Sequence, residues 1–220
     1  MRVVVAGGHG QIARLVLQGL AEAGHQAVGL IRNPDHAVDL LQLDAIPVLI
    51  DLEQVALDAL AADLVGVDAV VFAAGAGPGS GPERKLTVDR DAAVLLADAA
   101  ERAGVNRYLM VSALGADSFD PDSTDVFQIY LRAKSEADAD LRRRDLDWTI
   151  IRPGGLTDDQ PTGLVTLAEQ TGPGSIPRAD VAALVIEALL HRTAVRCQFE
   201  AISGETPINE ALAAQAGAGQ

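Results

Sequence analysis

Tyr130 and Lys134 stand four residues apart in YLRAK, and Ser112 closes an apolar run in LMVS. Four residues make about one helical turn, so a helix through this stretch projects both side chains from one face. The chain has two tyrosines and two lysines, so this spacing rarely arises by chance. A tyrosine hydroxyl can hand a proton to a carbonyl oxygen as hydride reaches the carbon. Its ordinary pKa is about 10, and a neighbouring ammonium brings it down. Lys134 is placed to do that, while Ser112 can hydrogen-bond the reacting oxygen. The plain alternative is a half-buried aromatic, a solvated helix lysine and a turn serine.

Such chemistry needs a hydride carrier, and the N-terminal MRVVVAGGHGQIARL offers it a place. Arg2 to Ala6 reads as a buried strand, and Gln11 to Ala23 carries a helical apolar stripe. Between them, Gly7, Gly10 and Ala13 satisfy G-x-x-G-x-x-A, while Gly8, Gly10 and Ala13 satisfy G-x-G-x-x-A. In either register the glycines allow a tight turn and let a pyrophosphate approach the backbone. The candidates for holding it are Gly7, Gly8, His9 and Gly10, with Gln11 and Ile12 opening a helix whose free amides face the phosphate. Lys134 is then placed to hold the nicotinamide ribose.

The second strand ends in GLIRNP. An acid at that point favours NAD, whereas Arg32 favours the 2′-phosphate of NADP through bidentate contact. Asp35 is a weaker rival that favours NAD, and Arg14 is a possible helper. The third strand runs into Asp51 and Leu52, where Asp51 can accept from an adenine amino group, cap the next helix, or do both. Ala73, Ala74 and Gly75 follow the fourth strand and are small enough to run beside a ribose. No cluster suggests a metal site.

The elements that must position these residues alternate. Strands are expected at Gln26 to Ile31, Pro47 to Ile50, Asp68 to Phe72, Tyr108 to Val111 and Trp148 to Ile151. Helices are expected at Pro34 to Leu43, Glu53 to Leu64, Leu86 to Ala103 and Val126 to Arg144. This alternation argues for an α/β fold with a doubly wound parallel sheet of the Rossmann type. Residues 1–214 read as one domain. Residues 153–214 form a small C-terminal cap on the substrate side, mostly loop with one short hairpin before a helix from Arg178 to His191, a strand at Gln198 to Ile202 and a helix at Ile208 to Ala214. Residues 215–220 read as a frayed tail. The acidic stretch from Gly115 to Asp125 is either a mobile lid or a solvated linker.

Composition sets the outer limits. Of 220 residues, 17 are Lys or Arg and 31 Asp or Glu, a net charge of -14 that repels nucleic acid. One cysteine, Cys197, leaves no internal disulfide and fits a reducing compartment. No apolar run approaches membrane-spanning length. A cytoplasmic protein with a small-molecule substrate is expected, and a homodimer is possible.

Beyond these residues, the chain resembles the atypical short-chain dehydrogenases/reductases, in the small NmrA-like, epimerase/dehydratase-type group. The resemblance rests on GGHGQIA, VDRDAAVLLADAAERAGVNRYLMVSALGA, YLRAKSEADADL, LDWTIIRPGGLT, IPRADVAALVIEAL and FEAISGETPINEAL, and covers nearly the whole chain. It implies a Rossmann fold holding NADP or NAD at the glycine loop. It also implies an Asn-Ser-Tyr-Lys tetrad, matched by Ser112, Tyr130 and Lys134, with Asp89 at the asparagine position. Pro153 should border the nicotinamide. Members of the group range from reductases to proteins that only bind cofactor. Larger sugar epimerases carry a substrate domain for which the segment after Arg152 has no room. An NADP-dependent oxidoreductase acting on a small carbonyl, quinone or flavin-like acceptor is therefore expected. A redox sensor without catalysis and an NAD-dependent epimerase/dehydratase are the alternatives.

Overall fold

The computed structural model describes residues 1–218. β1 (Arg2–Ala6), α1 (Gln11–Glu22), β2 (Gln26–Ile31), a 3-10 turn at Pro34–His36, α2 (Ala37–Leu41) and β3 (Ile46–Leu49) come first. Next are α3 (Leu57–Asp63), β4 (Ala69–Phe72), α4 (Pro82–Arg84), a π-helical segment at Lys85–Asp91, and α5 (Ala92–Ala103). β5 (Arg107–Val111), α6 (Val126–Arg142) and β6 (Asp147–Pro153) follow. The chain ends with β7 (Gly155–Thr157), β8 (Leu164–Ala168), β9 (Ser175–Pro177), α7 (Arg178–Leu190), β10 (Cys197–Ser203), β11 (Thr206–Pro207) and α8 (Ile208–Ala218).

Nine strands form one sheet in the order β11-β8-β10-β6-β5-β4-β1-β2-β3. From β3 to β10 every pairing is parallel, and β8 runs antiparallel to both of its neighbours. The central strands are apolar on both faces, as a covered parallel sheet demands. In β1 the alternation is explicit. Val3 and Val5 pack with α1, α7 and α8, while Val4 and Ala6 pack with α3, α5 and α6. The doubly wound sheet expected from the sequence is therefore present. β1 lies between β2 and β4, so strand order reverses there and a crevice opens beyond the carboxyl ends of these strands.

The last quarter differs from expectation. There is no local hairpin between Pro153 and Pro177. β7 pairs in parallel with β9, while β8 joins the main sheet against β10. Parallel partners cannot be joined by a tight turn, so the chain loops out through β8 between them. The helix at Glu53 starts later, at Leu57, because Asp51 builds a turn first: its carbonyl accepts from the amides of Gln54 and Val55. Of the expected frayed tail, residues 215–218 continue α8, and residues 219–220 lie outside the described residues. No described helix is long and apolar enough to cross a membrane.

Arg107 ties β5 to β6 and to the end of α7. Its guanidinium is buried and donates to the Asp147 carbonyl at 2.7 Å, Thr149 Oγ1 at 2.8 Å, the Ala188 carbonyl at 2.9 Å and the Thr193 carbonyl at 3.3 Å. Burial pulls its pKa down to about 10, which still leaves it charged at neutral pH. Replacing Arg107 by Met strands these acceptors. Urea denaturation of Arg107→Met should show a loss of about 3 kcal/mol or more against wild type.

Candidate active site

The glycine turn is built by contact. Gly7 has φ +77°, and a Cβ there would lie 2.6 Å from the Ala74 Cα in the loop after β4. A Cβ on Gly8 would lie 2.9 Å from the Gly29 Cα of β2. The Gly8 amide donates to the Leu30 carbonyl at 2.8 Å, and the Gly10 amide to the Gly7 carbonyl at 2.7 Å. α1 then starts at Gln11 with no side-chain cap and no acid in its first turn. Its first amides have no intrahelical acceptor, and no carboxylate there repels an anion. Gln11 is exposed, and Ile12 and Ala13 anchor the helix in the core. The bare backbone and open helix end fit the pyrophosphate of a dinucleotide.

A cleft of about 260 Å³ extends from this turn. Gly7, His9, Gly10, Arg32, Asp51, Leu52, Ala73, Ala74 and Gly75 line it, as expected of cofactor-binding residues. Asp51 Oδ1 also accepts from the Glu53 amide at 3.0 Å, so it lines the cleft and shapes the turn together. Eight further residues line it that no motif had singled out, among them His36, Glu53, Arg84 and Val88. Glu53 collects Arg32 at 3.4 Å, Arg84 at 3.0 Å and the Thr87 hydroxyl at 2.7 Å. The cleft thus ends in two guanidiniums and one carboxylate. Nothing in the motif pattern pointed to Arg84, which reaches the cleft from the far side of a glycine-rich loop. His9 stacks on His36 with ring centroids 3.5 Å apart, and its Nε2 lies 2.7 Å from Asp39 Oδ2.

The expected tetrad sits on α6 and its neighbours. Tyr130, Lys134 and Asp138 follow one another at successive turns. The buried Lys134 Nζ lies 3.2 Å from Asp89 Oδ1 and donates to the Val111 carbonyl at 3.3 Å. Asp89 comes from the π-helical segment, where the extra residue in the turn redirects side chains. Its other oxygen accepts from the Ala76 amide at 3.2 Å. Burial by itself depresses Lys134, but Tyr130 and Asp89 overcome that and hold its pKa above the ordinary value. Lys134 is therefore an ammonium, 5.8 Å from the centre of the Tyr130 ring. Tyr130 faces a second cavity, lined also by Ser80, Lys85, Asp125, Val126 and Phe127.

Two sequence expectations change here. Lys134 does pull the Tyr130 pKa down, but burial outweighs it and the net shift is upward. Tyr130 keeps its proton. Ser112 is buried and donates to Asp138 Oδ2 at 2.7 Å, so its hydrogen is already committed. Asp138 is in turn gripped by Arg152 at 2.8 Å, and Arg152 also holds Asp117 at 2.7 Å. Burial pushes the Asp138 carboxyl up, and Arg152 and Ser112 pull it back only in part. Asp117 ties the start of the acidic Gly115–Asp125 stretch to Arg152. Gly8, Gln11, Ile12, Ser112, Asp89, Lys134 and Pro153 line neither cavity. Pro153 is buried at the end of β6, where its carbonyl accepts from the Leu114 amide at 2.9 Å. The other tyrosine, Tyr108, is a core residue whose hydroxyl donates to the Ala93 carbonyl.

The Lys134–Asp89 pair makes a stability test possible. Lys134→Met leaves an uncompensated buried carboxylate and should cost about 3–5 kcal/mol in urea denaturation. Adding Asp89→Leu should recover most of that loss, because no charge then remains buried. Gly7→Val should abolish the thermal stabilisation that a nicotinamide nucleotide confers on wild type, since its side chain runs into Ala74.

Comparison with known proteins agrees with this geometry. A family model described as NAD(P)H-binding matches residues 7–192. A Bacillus subtilis protein named as the uncharacterized sugar epimerase YhfK is 37% identical over 96% of this chain and 99% of its own. A solved Bacillus halodurans structure, provisionally titled an NAD-dependent epimerase/dehydratase, is 35% identical with a TM-score of 0.87 over 96% of this chain and 98% of that one. The oxidoreductase ylbE of Lactococcus lactis is 26% identical, with a TM-score of 0.83 over 97% and 96%. The chain therefore belongs to the NAD(P)H-binding family, within the atypical short-chain dehydrogenase/reductase group.

Proposed function

We propose that this protein is an NADP-dependent oxidoreductase that reduces a small carbonyl, quinone or flavin-like acceptor. The observation that carries this reading is Tyr130: a protonated tyrosine lining a cavity, one turn from a buried ammonium. A reduced nicotinamide, when bound, supplies a hydride. The residues of this chain supply the rest. Tyr130 donates the proton that the acceptor oxygen needs. Lys134 stabilises the tyrosinate left behind, and Asp89 keeps Lys134 charged and fixed. Ser112, held by Asp138, acts as a positioning residue rather than as the oxygen anchor expected from sequence.

Arg32 and Arg84 support NADP over NAD. Both guanidiniums meet at Glu53 in the cleft, and their planar donor forks suit a 2′-phosphate. The names of relatives divide between epimerase and oxidoreductase.

One observation favours a second reading. With its hydrogen given to Asp138, Ser112 cannot also donate to a carbonyl. A cofactor-binding redox sensor needs no such donor. Turnover separates the two readings. Against a panel of quinones and conjugated carbonyls with NADPH, the wild type should consume the nucleotide, and Tyr130→Phe should lower kcat by about 10²–10⁴. Because burial raises the Tyr130 pKa, kcat/KM should hold level up to about pH 9, where a tyrosine of lowered pKa would already have titrated. Nucleotide binding with no consumption of any acceptor would favour the sensor.

Cofactor choice has its own readout. NADPH at 100 times its dissociation constant should stabilise the wild type by about 2.7 kcal/mol. Arg32→Ala and Arg84→Ala should each weaken NADPH while leaving NADH nearly unchanged. Equal losses for both nucleotides would overturn the assignment of the arginines to a 2′-phosphate.

A further inference from the structure

The cavity at Tyr130 contains a cation with no counter-charge. Lys85 opens the π-helical segment, and its Nζ lies 5.3 Å from the centre of the Tyr130 ring. It donates to the Gly77 carbonyl at 2.9 Å, an acceptor it shares with the Ser80 hydroxyl at 2.8 Å. An ammonium has three donors, so two remain. Among the described residues no carboxylate comes within 4.0 Å of it, whereas Lys134, 5.8 Å from the centre of the same ring, is paired with Asp89.

The rest of the cavity is aromatic and apolar. Phe127 and Tyr130 lie with centroids 6.0 Å apart and planes tilted by 31°. Phe127 is 60% exposed and Val126 38%, so the rim shows a large apolar surface to solvent. The one acid lining the cavity is Asp125, and it is spent on α6. Its Oδ1 accepts from the amides of Phe127 at 2.9 Å and Gln128 at 3.2 Å, and the helix N-terminus offsets its charge.

We propose that Lys85 seats the carboxylate of the substrate, and that the acceptor is a planar aromatic or conjugated carbonyl compound bearing that carboxylate. The rings of Phe127 and Tyr130 give the planar body an apolar surface, and Lys85 fixes which end faces the Tyr130 hydroxyl. The assignment rests on the reading of Tyr130 as proton donor in this cavity, and it explains why an unpaired cation stands beside it in a chain of net charge -14.

Binding of inert probes tests this apart from turnover. Naphthalene-2-carboxylate and naphthalene-2-carboxamide share a ring system and differ in charge. Calorimetric titration in the presence of NADP⁺ should show the carboxylate about tenfold tighter in wild type, with the preference shrinking as salt is raised. Lys85→Met should abolish the preference while the carboxamide still binds, and Lys85→Arg should retain it. Equal binding of the two probes, a preference that survives Lys85→Met, or no binding of either probe would overturn the proposal. A carboxylate preference that depends on Lys85, in a protein that reduces no acceptor, would instead overturn the oxidoreductase reading and leave this site standing.

Discussion

Helix α6 buries two charges one turn apart, and each must be answered from somewhere else in the chain. Lys134 is answered by Asp89 from the π-helical segment and by the carbonyl of Val111 at the end of β5. Asp138 is answered by Arg152 from β6 and Ser112 after β5. A buried ion costs several kcal/mol unless its partners are close and well aimed. Neither side chain could occupy its place without these groups, so the pairs hold α6, β5, β6 and the π-helical segment in one register. The face that carries Tyr130 is therefore set by electrostatics that apolar packing alone would not supply.

A different constraint governs the opposite end of the crevice. There the bare backbone itself lines the cleft, and what matters is the absence of side chains. Gly7 passes the loop after β4 too closely for a Cβ, and Gly8 passes β2 in the same way. The two ends are joined by the glycine-rich stretch from Ala73 and by the segment Pro82–Asp91. That segment places Arg84 in the first cleft, Lys85 in the second cavity and Asp89 on Lys134. A single short element thus feeds both halves of the site.

The charge pattern follows the same division. The surface as a whole is acidic, yet the basic side chains Arg32, Arg84 and Lys85 line the two cavities, where an anionic cofactor and the acceptor proposed here would be met.

The local, periodic features were legible from the sequence. Valines at alternating faces of β1, the helical stripe of α1 and the glycines between them dictate a strand, a turn and a helix whatever else the chain does. The Tyr130–Lys134 spacing places both residues on one helix face for the same reason. Tertiary structure decided what these groups meet. Burial, which no spacing encodes, turned the Tyr130 pKa upward despite Lys134. Asp138, Arg152 and Ser112 meet only because α6 packs across the ends of β5 and β6. The π-helical turn is a local irregularity with no sequence period of its own, and together with α4 before it, it brings Arg84, Lys85 and Asp89 to three different partners. The parallel pairing of β7 with β9 was hidden for a related reason: its hydrogen bonds join segments separated by another strand, and neighbouring residues carry no record of such a partner.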